Sequence, residues 1–223
     1  MSTKLKILGL GLLAVLATGA FAVMNATAET GGHFTSEVHH TTIVGAEQVG
    51  TKHKLEFTVD GNAITCTNAS YHGTISATTV ESVTVAPNWD NCYTTPESTE
   101  FGVDENGCTF TFTIGREGQA AKHHTAHLVC PAGKNIEITH PNCNITVPPQ
   151  TVSGVVYKTV EEAGKHAITM EVTAGGVTSY YHEKVCVFLG TNHTGEMHGS
   201  VTVWGEDTLG NRVSITATTG PKK

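Results

Sequence analysis

Helix is the first thing this sequence lacks. Across 223 residues leucine is scarce, and the best helical candidate, Val160-Glu161-Glu162-Ala163-Gly164, is too short and ends in glycine. Catalytic signatures are missing as well. There is no Gly-x-Ser-x-Gly elbow, and no cysteine pair has the CxxC spacing of a zinc site. His182-Glu183-Lys184-Val185-Cys186 puts a cysteine where a HExxH motif needs its second histidine. Asp is scarce in the strand-like stretches, so nothing marks a carboxylate pair of the kind glycosidases use. The expectation is a protein that is not an enzyme and takes no cofactor.

Positive charge is also sparse, with 13 Lys and Arg against 20 Asp and Glu. Nucleic acid and anionic membranes reward clustered basic surface, so neither is an expected partner. The one apolar run of note, Ile7 to Leu16, is shorter than the roughly 20 residues that cross a bilayer. It follows Lys4 and Lys6 and precedes Ala26-Thr27-Ala28, a small-x-small site, so residues 1–28 read as a secretory signal cut before Glu29. Ala20-Phe21-Ala22 offers a second possible cut. No cysteine follows the apolar core, which argues against lipid attachment there, and the tail 220–223 carries no anchor signal. Without Lys4 and Lys6 the mature chain has a formal net charge of −9, with no membrane span and a secreted, extracellular destination.

What is present is strand. Cys108, Phe110, Phe112 and Ile114 alternate with Thr109, Thr111 and Thr113, the period-two signature of a strand buried on one face. Cys143, Ile145 and Val147 repeat it against Asn144 and Thr146, until Pro148-Pro149 removes two ladder donors and stops the strand. The Thr-, Val- and Gly-rich composition from Thr42 onward extends this to an all-β antiparallel β-sandwich-like body over 42–219, after a loose polar leader at 29–41. Two packed β units, with halves 42–106 and 107–219, are the other arrangement, and Pro87 to Asn106 comes nearest to a break.

Turn chemistry predicts three hairpins. One joins the run from His53 to Val59 to Ala63–Cys66 through Asp60-Gly61, suited to a type I′ turn. A second joins His166–Val172 to Val177–Tyr181 through Ala174-Gly175-Gly176. The third joins Val201–Trp204 to Arg212–Thr216 through Leu209-Gly210-Asn211. The first two open on Lys52-His53 and Lys165-His166. Each is followed by a cysteine (Cys66, Cys186), a Thr-Asn pair (Thr67-Asn68, Thr191-Asn192), and a matching run at His72–Ser76 and His198–Thr202. This reads as a divergent internal duplication.

Cys66, Cys92, Cys108, Cys130, Cys143 and Cys186 make an even set in an exported chain, which predicts three disulfides. Cys66 is expected to pair with Cys92. A hairpin folded near Gly118 to Ala120 would place Cys108 opposite Cys130 and leave Cys143 for Cys186.

Two clusters suggest chemistry. His123-His124-Thr125-Ala126-His127 on a strand directs His123 and His127 to one side and His124 to the other, so a zinc or copper ion would need a further ligand such as His140 or Glu137. Trp89, Tyr93, Tyr180, Tyr181 and Trp204 could form a carbohydrate platform, and Trp89 and Tyr93 lie in a polar stretch, Asn88 to Thr95, where core packing explains large rings less easily. Three glycosylation triplets, at Asn68, Asn144 and Asn192, recur readily in so Thr-rich a chain.

The run Gly107-Cys108-Thr109-Phe110-Thr111-Phe112, then Cys130-Pro131-Ala132-Gly133-Lys134-Asn135-Ile136-Glu137-Ile138-Thr139, Cys143 and Val147-Pro148-Pro149-Gln150, resembles a group of uncharacterised exported β-rich, disulfide-bonded proteins of soil actinobacteria. The resemblance covers most of the mature chain, including the closing Gly199 to Ile215 stretch. It implies export, a bacterial source and a disulfide-bonded β fold, and carries no known activity or catalytic residues. The functional expectation is therefore a structural or binding role at or outside the cell surface, with a polysaccharide or a protein as partner. The alternative is a small secreted enzyme or metal-binding protein that uses the histidine-rich strand.

Overall fold

The computed structural model describes residues 32–46, 55–59, 62–95, 100–115, 124–140, 143–181 and 194–219. The expected signal (1–28), the tail (220–223), the turns at Asp60-Gly61 and Gly118 to Ala120, His123, His182 to Cys186 and Asn192 lie outside the described residues.

The described residues form strands and connecting turns, with no helix. In chain order the strands are β1 (His33–Ser36), β2 (Thr41–Ala46), β3 (Leu55–Val59), β4 (Asn62–Ile75), β5 (Thr79–Val80), β6 (Ser82–Thr95), β7 (Glu100–Asp104), β8 (Thr109–Thr113) and β9 (Thr125–Val129). They continue as β10 (Ile136–His140), β11 (Cys143–Val147), β12 (Gln150–Ser153), β13 (Val155–Glu162), β14 (Lys165–Thr178), β15 (Tyr180–Tyr181), β16 (Thr194–Glu206), β17 (Arg212–Val213) and β18 (Ile215–Thr218). Every pairing is antiparallel, and the body is the sandwich-like all-β fold that the alternation predicts.

The main sheet runs β14, β16, then β2 and β3 end to end, then β4, β6, β8, β9 and β12. β2 and β3 lie one after the other between the same two neighbours, β4 and β16, so two short strands fill one place in the sheet. The far edge then returns to the start. β12 continues through Gly154 into β13, which pairs with β14 along its whole length, and the Thr173 N–H donates to the Gly154 carbonyl at 3.1 Å. A sheet of roughly eight strands that closes in this way has an interior just wide enough for its own side chains or one small ligand.

Two small sheets cover this interior. One, in the order β18, β1, β5, lays Phe34 over Ile43, Ile75, Val83 and Ile168. Tyr157 seals the same region, with its ring edge-on to Phe34 and Phe112 at 5.4 and 6.4 Å and its hydroxyl donating to the Thr113 carbonyl. Burial pushes this phenol well above its ordinary range and keeps it neutral. The other sheet, β7, β10, β11 and β15, branches from β6 where Cys92 pairs with Phe101, and it turns Ile136, Ile138, Ile145 and Val147 inward.

The central reading holds in detail. Cys108, Phe110, Phe112 and Ile114 are all buried, and β11 ends at Val147, just before Pro148-Pro149. Thr109 pairs with Val129 and Thr113 with Thr125, so the β8–β9 hairpin carries Cys108 onto Cys130, and the two are disulfide-bonded. Cys66 and Cys92, directly paired on β4 and β6, form a second bridge. Cys143 is also disulfide-bonded, and its expected partner Cys186 lies outside the described residues. The first hairpin has the predicted register, with Val59 opposite Asn62.

Several expectations need correction. The segment read as a loose leader supplies β1, because Phe34, its one large apolar residue after Gly32, is only 2 % exposed. Gly175-Gly176 is not a turn. β14 runs straight through it as a β-bulge, with Gly176 at φ 75°, and keeps pairing with β16 up to Thr178 opposite Thr194. The real turn lies earlier, at Ala163 (φ 53°) and Gly164 (φ 75°), the two left-handed positions of a type I′ hairpin joining β13 to β14. The second copy of the supposed duplication therefore has one strand where the first has a hairpin. The third hairpin is shorter than predicted: only Gly205 and Glu206 pair across it, and after Ser214 the chain crosses to the β18–β1–β5 sheet. Strands of the two candidate halves, 42–106 and 107–219, pair directly, β16 with β2 and β3 and β8 with β6. No break occurs at Pro87, because β6 pairs with β4 on both sides of it.

Candidate functional site

The candidate site is the interior of the rolled sheet. Its shape depends on an irregularity shared by β4 and β6. Strand residues three apart ordinarily face opposite ways, yet Cys66 and Ala69 are both buried, as are Trp89 and Cys92. Asn91, at φ 51°, resets the phase on β6, and Asn tolerates the left-handed region better than most residues. The Asp90 carboxylate accepts the Asn91 N–H at 2.8 Å, and the Thr67 hydroxyl donates to the Asn91 carbonyl at 3.3 Å.

This reset turns Trp89 into the core. Its ring is 9 % exposed and tilts against Phe110 with centroids 6.0 Å apart, and its indole N–H donates to the Tyr71 hydroxyl at 3.2 Å. Its backbone N–H donates to the Glu105 carboxylate at 2.6 Å. Tyr93 stands between buried Cys92 and Thr94 and so faces outward. Trp89 and Tyr93 do not share a face, so these two rings do not form a common platform. The stretch looked like a polar loop because Asn88, Asp90 and Asn91 are its outward-facing residues.

Around Trp89 the interior is not filled. A cavity of about 60 Å³ lies between the rolled sheet, which contributes Ile64, Trp89, Phe110, Leu128, Val152 and Met197, and the second small sheet, which contributes Val103, Ile136, Ile138 and Val147. A second cavity of about 40 Å³ adjoins it, reaching Tyr71, Phe112, Met170 and Val201. The two share Trp89, Phe110, Val152 and Met197 as a common wall. Beyond Phe112 and Met170, under Phe34, the free space falls to about 10 Å³, so the β1 end is closely packed.

Among the described residues, no carboxylate, histidine or lysine lines either of these two cavities. The amide of Gln150 borders the larger one, and its hydrogen bonds are already taken: Oε1 accepts the Thr178 N–H at 2.8 Å and Nε2 donates to the Thr178 carbonyl at 2.9 Å. The surroundings formed by the described residues suit an uncharged apolar guest.

The histidine strand is arranged differently. His124 points inward, is buried, and its Nδ1 accepts the Gly115 N–H at 2.8 Å beside the Tyr157 ring. His127 faces outward as alternation requires, with Nδ1 2.8 Å from the Thr151 hydroxyl and Nε2 3.3 Å from that of Thr125. The further ligands suggested for it sit on another sheet: Glu137 accepts from the Thr146 hydroxyl at 2.8 Å, and the His140 ring lies 5.2 Å from Phe101. Among the described residues no group of three His, Cys, Asp or Glu could hold a metal ion, and no helix is long and apolar enough to cross a membrane. The cavity residues were legible singly as strand apolars. Their convergence was not, because β3, β9, β12 and β16 are brought together by long-range pairing. The chain matches no protein-family model, no curated protein and no solved structure.

Proposed function

We propose that this chain is an exported, disulfide-closed binding protein that acts outside the cell without catalysing a reaction. The observation that carries this reading is the interior around Trp89, where the described residues enclose two adjoining apolar cavities. Natural cores are packed to near-crystalline density, so adjoining voids of this size lose contacts that a bound molecule would restore. Export is supported by residues 1–28, by the disulfides and by the resemblance to exported actinobacterial β proteins. Among the described residues the lining of both cavities holds no carboxylate, histidine or lysine, which supports binding over catalysis.

The test is solvent extraction of the protein purified from culture medium, with mass spectrometry of the extract. One uncharged apolar molecule per chain is expected. A protein that releases none, and whose melting temperature no apolar compound raises, contradicts the reading.

A further inference from the structure

We infer that the interior accepts a single unbranched alkyl or acyl chain, admitted at the seam between β12 and β14. This inference rests on the binding reading above and adds the class of ligand.

The free space is divided rather than compact. The cavities of about 60 and 40 Å³ are each well below the roughly 150 Å³ that an engineered core cavity offers a benzene-sized ring. They meet at Trp89, Phe110, Val152 and Met197. A methylene chain is narrow enough to pass this neck and occupy both compartments, whereas a compact ring would have to force them into one. Met197 and Met170, one at the neck and one in the inner compartment, are unbranched and repack around a flexible guest more easily than β-branched residues do. With no charged side chain among the described lining residues, a polar head would stay at the mouth and the chain would lie inside.

The mouth follows from how the sheet closes. β12 pairs with β9 on one side, but toward β14 it forms no ladder, and its cavity end is held by the Gln150 side chain bonded to both backbone groups of Thr178. Gln150 also borders the larger cavity. The bulge at Gly175–Val177 lies beside it in β14 and interrupts the regular pairing there. Between β12 and β14 the chain is held by these two side-chain bonds and by the Thr173 N–H on the Gly154 carbonyl in place of a continuous ladder, so this seam opens more readily than the paired strands of the rolled sheet.

Calorimetric titration of the intact protein with 1-hexanol, 1-octanol and 1-decanol tests the inference. One molecule per chain is expected, with affinity rising about fourfold for each added methylene. 1-Adamantanol, a rigid cage with the carbon count of 1-decanol, is expected to bind about tenfold or more weakly than 1-decanol. Met197→Trp, which fills the neck, is expected to remove the gain from hexanol to decanol. Val152→Phe narrows the same neck from another strand and serves if the first variant does not fold. If adamantanol binds as tightly as decanol, the chain assignment is overturned and the binding role stands. Affinity indifferent to chain length and to both variants also overturns the assignment. No binding by any of the alcohols overturns the assignment and counts against the binding role as well.

Discussion

Gln150 holds Thr178 by both ends of its amide, accepting the backbone N–H at 2.8 Å and donating to the backbone carbonyl at 2.9 Å. The side chain thereby imitates a strand partner where the main chain provides none. Gln150→Ala is expected to raise both the association and dissociation rates of 1-decanol by roughly tenfold in stopped-flow measurements, since the clasp is what has to open. Unchanged rates would place the door elsewhere.

Trp89 is a core residue whose one polar atom is satisfied by Tyr71. Trp89→Ala is expected to cost about 3–5 kcal/mol in urea unfolding and to leave Tyr71 without its donor. A surface platform would behave differently, losing a sugar ligand with little change in stability.

Gly154 bends β12 into β13 at φ 90°, and a Cβ there would stand 2.3 Å from the Thr173 carbonyl oxygen. Gly154→Ala is expected to destabilise by about 1–3 kcal/mol, because both the backbone conformation and the close approach exclude a side chain. Gly133 and Gly210 also have positive φ but nothing within 4 Å, so alanine at either should cost less. Equal losses at the three positions would contradict the assignment of the bend to Gly154.

Glu37 ties the N-terminal segment to the body. Its carboxylate accepts the Ser214 N–H at 3.0 Å and pairs with Lys165 at 2.9 Å, and these partners hold its pKa at about 2 instead of 4.5. The folded value lies below the unfolded one, so the contribution is fully present above about pH 4.5 and is lost as pH falls toward 2. Because the pair is exposed, the effect is screened by salt and amounts to no more than about 1 kcal/mol. Melting curves of the parent and Glu37→Gln should differ at pH 6 and converge near pH 2. A difference that persists at pH 2 would contradict this account.

Local alternation and turn chemistry carried the sequence reading a long way. The inward set Cys108, Phe110, Phe112 and Ile114, the stop at Pro148-Pro149 and the Cys108–Cys130 bridge follow from strand periodicity and hairpin geometry, and the Cys66–Cys92 bridge from nearness in the chain. Where the reading failed, a longer-range partner overrode a local signal. Gly175-Gly176 reads as a turn until β16 lies alongside and holds the strand together through a bulge. Phe34 reads as a stray apolar residue until β18 and β5 flank it. Trp89 reads as a loop residue because its neighbours are polar, and the phase change at Asn91 that turns it inward has only the Asp90-Asn91 pair as its local sign. The cavity could not be read at all, since its walls come from strands far apart in the chain.

Native mass spectrometry of the protein secreted into culture medium, prepared without reductant or chelator and incubated with 1-decanol, tests the central claim most directly. The account predicts the mass of residues 29–223 less six hydrogens, for three bridges among six cysteines, with one decanol retained by the parent and none by Met197→Trp. A chain that retains no decanol, or that carries instead a stoichiometric zinc- or copper-sized adduct, would contradict it.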